Sequence, residues 1–277
     1  MSPISTTYTV SQFGNALEGE SDRVKLPFDH VWFWWSNGSP ESDPDKGARY
    51  FGGWASDAEK FIPAMSALNQ DEPPIGAKGP QTWRNREGNE FEVFAARAVY
   101  AAPIATRYYF DEKGGHIAIL AYLATRVKKG DKSELVPYGP AVLTANGYAA
   151  SKVRDAFKKW QSNTAKARAA FAPGVPANLF YYCIGTFGDK REQEMVGKPG
   201  RQSPIVPARV QEIAWDEAAL NAYFVGDTVA AIMLSLKTLA EEWLKDIPTS
   251  KKPAQVSPNA SEAELNAALS NADDFPF

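Results

Sequence analysis

The stretch Ala105-Thr-Arg-Tyr-Tyr-Phe-Asp-Glu-Lys-Gly-Gly-His-Ile-Ala-Ile-Leu-Ala-Tyr-Leu-Ala-Thr-Arg126 decides the fold class. Two β-prone runs, Ala105–Phe110 and Ile117–Arg126, flank Asp111-Glu-Lys-Gly-Gly115. Glycine in such a turn accepts the positive φ that a tight antiparallel reversal requires. Glu90–Tyr100 reads as a third strand ahead of the pair. Towards the N-terminus, Val24–Phe28 and Val31–Trp35 are short strand candidates, and Arg49–Trp54 brings aromatic residues back after the loop Asn37–Gly47. Asp57–Leu68 reads as a short helix, followed by a second loop at Glu72–Pro80.

Beyond Tyr148 the pattern changes. Ser151–Phe171 is full of Ala, Lys and Arg, with Val153, Phe157 and Trp160 at helical spacing. Leu179–Phe187 and Ser203–Ile213 read as two strands around a polar excursion at Gly188–Arg201. Asp216–Tyr223 and Thr228–Leu244 read as helices; the second places Leu236, Leu239, Trp243 and Leu244 on one stripe and stops before Pro248. There is no repeat of fixed period. The expectation is a mainly β protein with helical elaborations (α+β), forming one domain over residues 1–248. Residues 249–277 begin with a polar, proline-containing linker, Thr249–Ser261, and Glu262–Leu269 could form a brief helix.

At 277 residues and 44% apolar content the chain can fill a sizeable core. Its single cysteine, Cys183, excludes an internal disulfide and lies in the apolar run Leu179–Ile184, where a buried structural thiol is the default. With one Cys and two His, a thiolate-rich zinc site is excluded, and no metal or cofactor is expected. The opening residues have no basic segment leading into an apolar one, and Val229–Leu236 is too short to span a bilayer. The expectation is a cytoplasmic protein, in a bacterial or virus-infected cell, without a membrane partner.

The net charge of −3 conceals an uneven distribution. Residues 1–72 carry −6, residues 73–210 carry +10, residues 211–250 carry −5 and residues 251–277 carry −2. A basic middle is where a polyanion is expected to sit, although solvated Lys and Arg produce the same bias. Rings accompany that charge. In Trp32-Phe33-Trp34-Trp35, strand alternation places Trp32 and Trp34 on one face and Phe33 and Trp35 on the other. One face can build the core while the other offers stacking platforms to bases. Tyr50, Trp54 (beside two glycines), Trp83 and Tyr109 are further candidate platforms. Candidate phosphate contacts are Arg84, Arg86, Arg97 and Arg107, the basic turn with Arg126, Lys128, Lys129 and Lys132, and the excursion with Lys190, Arg191, Lys198 and Arg201.

Signals for an enzyme are weak. His116 has no acid pair or nucleophile at a recognisable spacing, and neither a phosphate loop nor a dinucleotide fingerprint occurs. No catalytic residue is assigned. The alternatives are a replication accessory protein that does not bind DNA, and a metal-dependent nucleic-acid-processing enzyme with an acidic site assembled in space.

The final segment, Asn271-Ala-Asp-Asp-Phe-Pro-Phe277, joins two carboxylates to two large rings on a tether. A ring can fill a partner's pocket while a carboxylate meets a basic residue at its rim. The segment resembles the acidic C-terminal tip of bacterial single-stranded DNA-binding proteins, with Asp273 and Asp274 as the acidic pair, Phe275 as the apolar residue, and Pro276 and Phe277 as the docking pair. The resemblance covers fewer than ten residues. It implies recruitment of replication, recombination or repair proteins and a tip that can compete with DNA. The body departs from that family, being about twice the usual size with a short linker. It is more similar in organisation to viral single-stranded DNA-binding proteins, which implies an elaborated OB-like β-barrel with inserted loops and helices. The expected function is sequence-independent single-stranded DNA binding, and a homo-oligomer is compatible with it.

Overall fold

Alternation along Val31–Ser36 defines the two sides of the sheet: Val31, Phe33 and Trp35 are buried, Trp34 is half-buried and Trp32 is exposed. The computed structural model describes residues 24–36, 52–74, 80–84, 89–111, 114–130, 132–187, 194–197, 200 and 202–246. Its strands are β1 (Val31–Ser36), β2 (Gly53–Asp57), β3 (Gln81–Arg84), β4 (Glu90–Ala96), β5 (Ala98–Asp111), β6 (Gly114–Lys129), β7 (Lys132–Asn146), β8 (Tyr182–Gly185), β9 (Glu194–Val196), β10 (Ser203–Ile205) and β11 (Arg209–Val210). Its helices are α1 (Ala58–Ala67), α2 (Gly147–Phe171), α3 (Glu217–Tyr223), α4 (Asp227–Leu239) and α5 (Glu241–Lys245).

Nine strands form one mixed sheet in the order β11-β8-β5-β6-β7-β1-β2-β4-β3, and β9 pairs with β10 separately. Within the large sheet β1 and β7 run parallel and the other pairs antiparallel. The sheet curls into a half-barrel. Only Arg97 separates β4 from β5, so one bent segment pairs with β2 before the bend and with β6 and β8 after it. Where the curl brings β2 near β8, side chains make the connection. The Trp54 indole N–H donates to the Ile184 carbonyl at 3.0 Å, and the Thr186 hydroxyl donates to the Gly52 carbonyl at 2.8 Å. The Trp35 indole likewise donates to Val206 at 3.2 Å. Gly52 has φ +52° and sits where a Cβ would run into the Val206 side chain, so both conformation and space demand glycine there.

The interior is lined by Phe33, Trp54, Phe61, Ile119, Leu143 and Ile184, and α2 packs into it. The buried stripe of α2, Ala149, Val153, Ala156, Trp160, Thr164 and Ala167, has steps of three and four, as an amphipathic helix requires. The outer face of the central strands is covered too: Ala102, Leu120 and Val142 pack under Val229, Met233 and Leu236 of α4 and Trp243 of α5. The central strands are therefore apolar on both faces.

The hairpin at Asp111–Gly115, the basic turn between β6 and β7, and α1 fall where the sequence places them. Other boundaries move. Val24–Phe28 is not a strand: Leu26 and Phe28 pack onto the outer cluster, and the Val24 N–H donates to the Asp246 carboxylate at 2.8 Å. Glu90–Tyr100 breaks at Arg97, Ser203–Ile213 divides into β10 and β11, and Thr228–Leu244 breaks at Ala240. Strand β7 has no counterpart in the sequence reading. Its Pro137 and Pro140 suggest a loop, but β1 pairs only with Ala141–Thr144. Among the described residues the proline half of β7 thus has a strand neighbour on one side alone, where a missing N–H donor is tolerated.

Candidate nucleic-acid interface

Trp32 and Trp34 stand side by side on the outer face of β1, with ring centroids 5.3 Å apart and planes inclined at 38°. Their neighbours Val31, Phe33 and Trp35 anchor β1 from the inside, so the pair rests on a fixed strand. Trp32 keeps 38% of its surface exposed. Register extends this face across the sheet: Trp32 lies beside Val142 and Trp34 beside Thr144, while Asn146, two residues further on, lies beside His116, and His116 beside Tyr109. Tyr109 and His116 stack at 4.9 Å with planes only 10° apart. By strand spacing, Trp34 and His116 are about 12 Å apart. Two pairs of rings therefore share one face beyond the area covered by α4 and α5.

Asn146 precedes α2 in the N-cap position, yet it makes no side-chain cap. Its Oδ1 instead accepts the His116 Nδ1–H at 2.7 Å, which orients the imidazole against Tyr109. The positive end of the α2 dipole consequently lies beside this polar corner. Such a shelf can hold flat rings by stacking and can offer hydrogen bonds at one end.

Several predicted contacts are elsewhere. Trp54 is fully buried with its N–H satisfied by Ile184, so its assignment as a stacking platform is corrected: it is a core residue. Arg107 is corrected likewise. It is 9% exposed, its guanidinium lies 4.2 Å from the Trp243 ring, and Nη1 donates to the carbonyls of Trp243 and Asp246 at 2.8 and 2.9 Å. Its charge fastens α5 to β5. Arg126, Lys128 and Lys129 are exposed together near the β6–β7 turn. Arg126 donates to Tyr100 Oη at 3.1 Å and to Ser133 Oγ at 3.0 Å, and Lys129 meets Glu134 at 2.8 Å. This cluster lies ten residues along β6 from His116, about 33 Å away. Arg97, exposed at the bend, lines a different groove, and Trp83 lies half-buried on the edge strand β3. Arg84 ends β3 and Lys132 begins β7, but their side chains lie outside the described residues. Tyr50, Arg86, Lys190, Arg191, Lys198, Arg201 and the segment Asp273, Asp274, Phe275, Pro276 and Phe277 also lie outside them.

The sequence gives His116 no partner at a recognisable spacing and gives Asn146 no signal at all. The missing signal was strand β7, because only its register brings Asn146 to His116. Cys183 is buried as expected, and burial pushes its thiol up to about 12. Among the described residues, no three His, Cys, Asp or Glu side chains gather as metal ligands, and no helix is long and apolar enough to cross a membrane.

No known family model, curated protein or solved structure matches the chain.

Proposed function

We propose that the protein binds single-stranded DNA without strong sequence preference, during replication, recombination or repair. The observation that carries this reading is the Trp32–Trp34 pair, held outward on a strand whose inward residues are core. Large rings on an open sheet face are costly to leave in water, and stacking a base on one contributes about 1–3 kcal/mol whatever the base. The Tyr109–His116 stack extends the platform, and the lysines and arginine near the β6–β7 turn supply charge for phosphates.

The finer reading is an OB-like barrel, an architecture that presents a curled sheet to oligonucleotides. A curled sheet that pairs β5, β6, β7, β1, β2 and β4 in succession supports it. The helical cover over the central outer face distinguishes this chain and moves the proposed site outward to β1. In this proposal the protein is cytoplasmic and is not an enzyme. The segment Asp273–Phe277 docks replication or recombination proteins. Titration with polydeoxythymidine, followed by tryptophan fluorescence, tests the DNA-binding reading: quenching with salt-dependent affinity is expected, and its absence overturns the proposal.

A further inference from the structure

A groove of about 640 Å³ lies between α2, the end of β8 and residues 206–212, and it shares no residue with the tryptophan shelf. Four cationic and three acidic side chains line it. Arg97 and Arg209 are exposed at its wall, placed by the strands on either side of β8. Arg209 is in register with Gly185, and Gly185 is in turn in register with Ala98, next to Arg97. A side chain at Gly185 would run into the Arg97 carbonyl and Ala98, so glycine allows these two backbones to converge, and both arginines line the groove. Two strand spacings, about 10 Å, separate the two positions, and flexible guanidinium groups can span that gap to adjacent phosphates. Phe187, 37% exposed two residues beyond Gly185, presents a ring to the same space. On the opposite wall Lys152 and Lys159, two helical turns apart on α2, meet Glu194 and Glu212, each at 2.7 Å. The third lining carboxylate, Asp155, lies 3.6 Å from Arg154. Each carboxylate is thus set against a cation of α2, and Glu212 also faces the charge of Arg209.

We propose that this groove is a second contact for single-stranded nucleic acid: Arg97 and Arg209 hold phosphates of the strand, and Phe187 stacks a base. The inference rests on the single-stranded DNA reading above and adds a separate stretch of strand to that of the shelf. It predicts that the protein occludes more nucleotides than the shelf alone can cover.

The test uses the full chain and polydeoxythymidine, with fluorescence and salt titrations on folded variants verified by thermal melting. In Arg97→Ala/Arg209→Ala, the slope of log affinity against log salt should fall by about 1.4, the share of two phosphate contacts on a single strand. The tryptophan quenching at saturation should be unchanged and the occluded length shorter. Phe187→Ala should bind roughly tenfold more weakly with the slope retained. Lys158→Ala/Lys166→Ala, which removes two α2 charges outside the groove, should keep the wild-type slope and occluded length. A groove variant indistinguishable from wild type, or a control that loses as much, overturns the second contact while leaving the shelf standing. Failure of the wild-type protein to bind the strand overturns the parent reading, and this one with it.

Discussion

The Trp54 indole N–H donates to the carbonyl of Ile184 across 3.0 Å, joining β2 to β8 without a backbone ladder between them. A ring fully buried at this junction cannot stack on a ligand. Trp54→Phe keeps most of the apolar volume but removes the donor, and should cost about 1–3 kcal/mol. Urea denaturation should show a lower midpoint with an unchanged slope, and affinity for single-stranded DNA should be that of the wild type.

Arg107 should behave as a structural residue. Arg107→Ala removes the hydrogen bonds to Trp243 and Asp246 and leaves two carbonyls at the end of α5 without these donors. A loss of about 2–4 kcal/mol is expected, with faster hydrogen exchange in α5 than in α2. The salt dependence of DNA binding should be unchanged, whereas loss of a phosphate contact would lower the slope by about 0.7.

Alkaline pH should unfold the protein. Burial pushes the Tyr100 hydroxyl up to about 12 and the Cys183 thiol up to about 12, and raises Tyr138, Tyr181 and Tyr182 further. These groups ionise near their ordinary values of 10 for tyrosine and 9 for cysteine once the chain unfolds. Their folded values are higher, so the stability they contribute is complete below pH 9 and declines as pH rises towards 12. The melting temperature should fall across that window together with the appearance of tyrosinate absorbance. Below it, thiol reagents should modify Cys183 slowly in the native protein.

The docking role proposed for the C-terminal segment separates from DNA binding. Deletion of Phe277 should leave affinity for single-stranded DNA intact or slightly tighter, and should abolish capture of a purified replication or recombination partner that the full chain retains. Unchanged capture contradicts the role.

Much of the sheet is legible because its signals are local. The Gly114–Gly115 reversal and the alternation in Val31–Trp35 each encode a feature in a few residues. Strand β7 is not legible, since what permits Pro137 and Pro140 is the absence of a β1 partner at those positions, a property of the register. The same limit applies to the site. Alternation separates Trp32 and Trp34 from the core, but cannot tell that Trp54 faces inwards at the junction with β8. Arg107, beside two tyrosines, and Arg126, in a basic turn, are alike candidate phosphate contacts in the sequence. Only the helix packed over one end of β5 makes the first a buried strut and leaves the second exposed. The Arg97–Arg209 wall joins residues more than a hundred positions apart and leaves no local pattern.

Binding of single-stranded DNA by the Trp32–Trp34 shelf is tested by comparing the wild-type chain with Trp32→Phe/Trp34→Phe and Trp32→Ala/Trp34→Ala in one polydeoxythymidine titration at low salt. The wild type should be strongly quenched. The phenylalanine variant should bind with similar affinity but lose most of the quenching, and the alanine variant should bind at least tenfold more weakly, from a loss of about 1–3 kcal/mol per stacked base. Absence of wild-type binding, or equal quenching and affinity in all three proteins, would contradict the account.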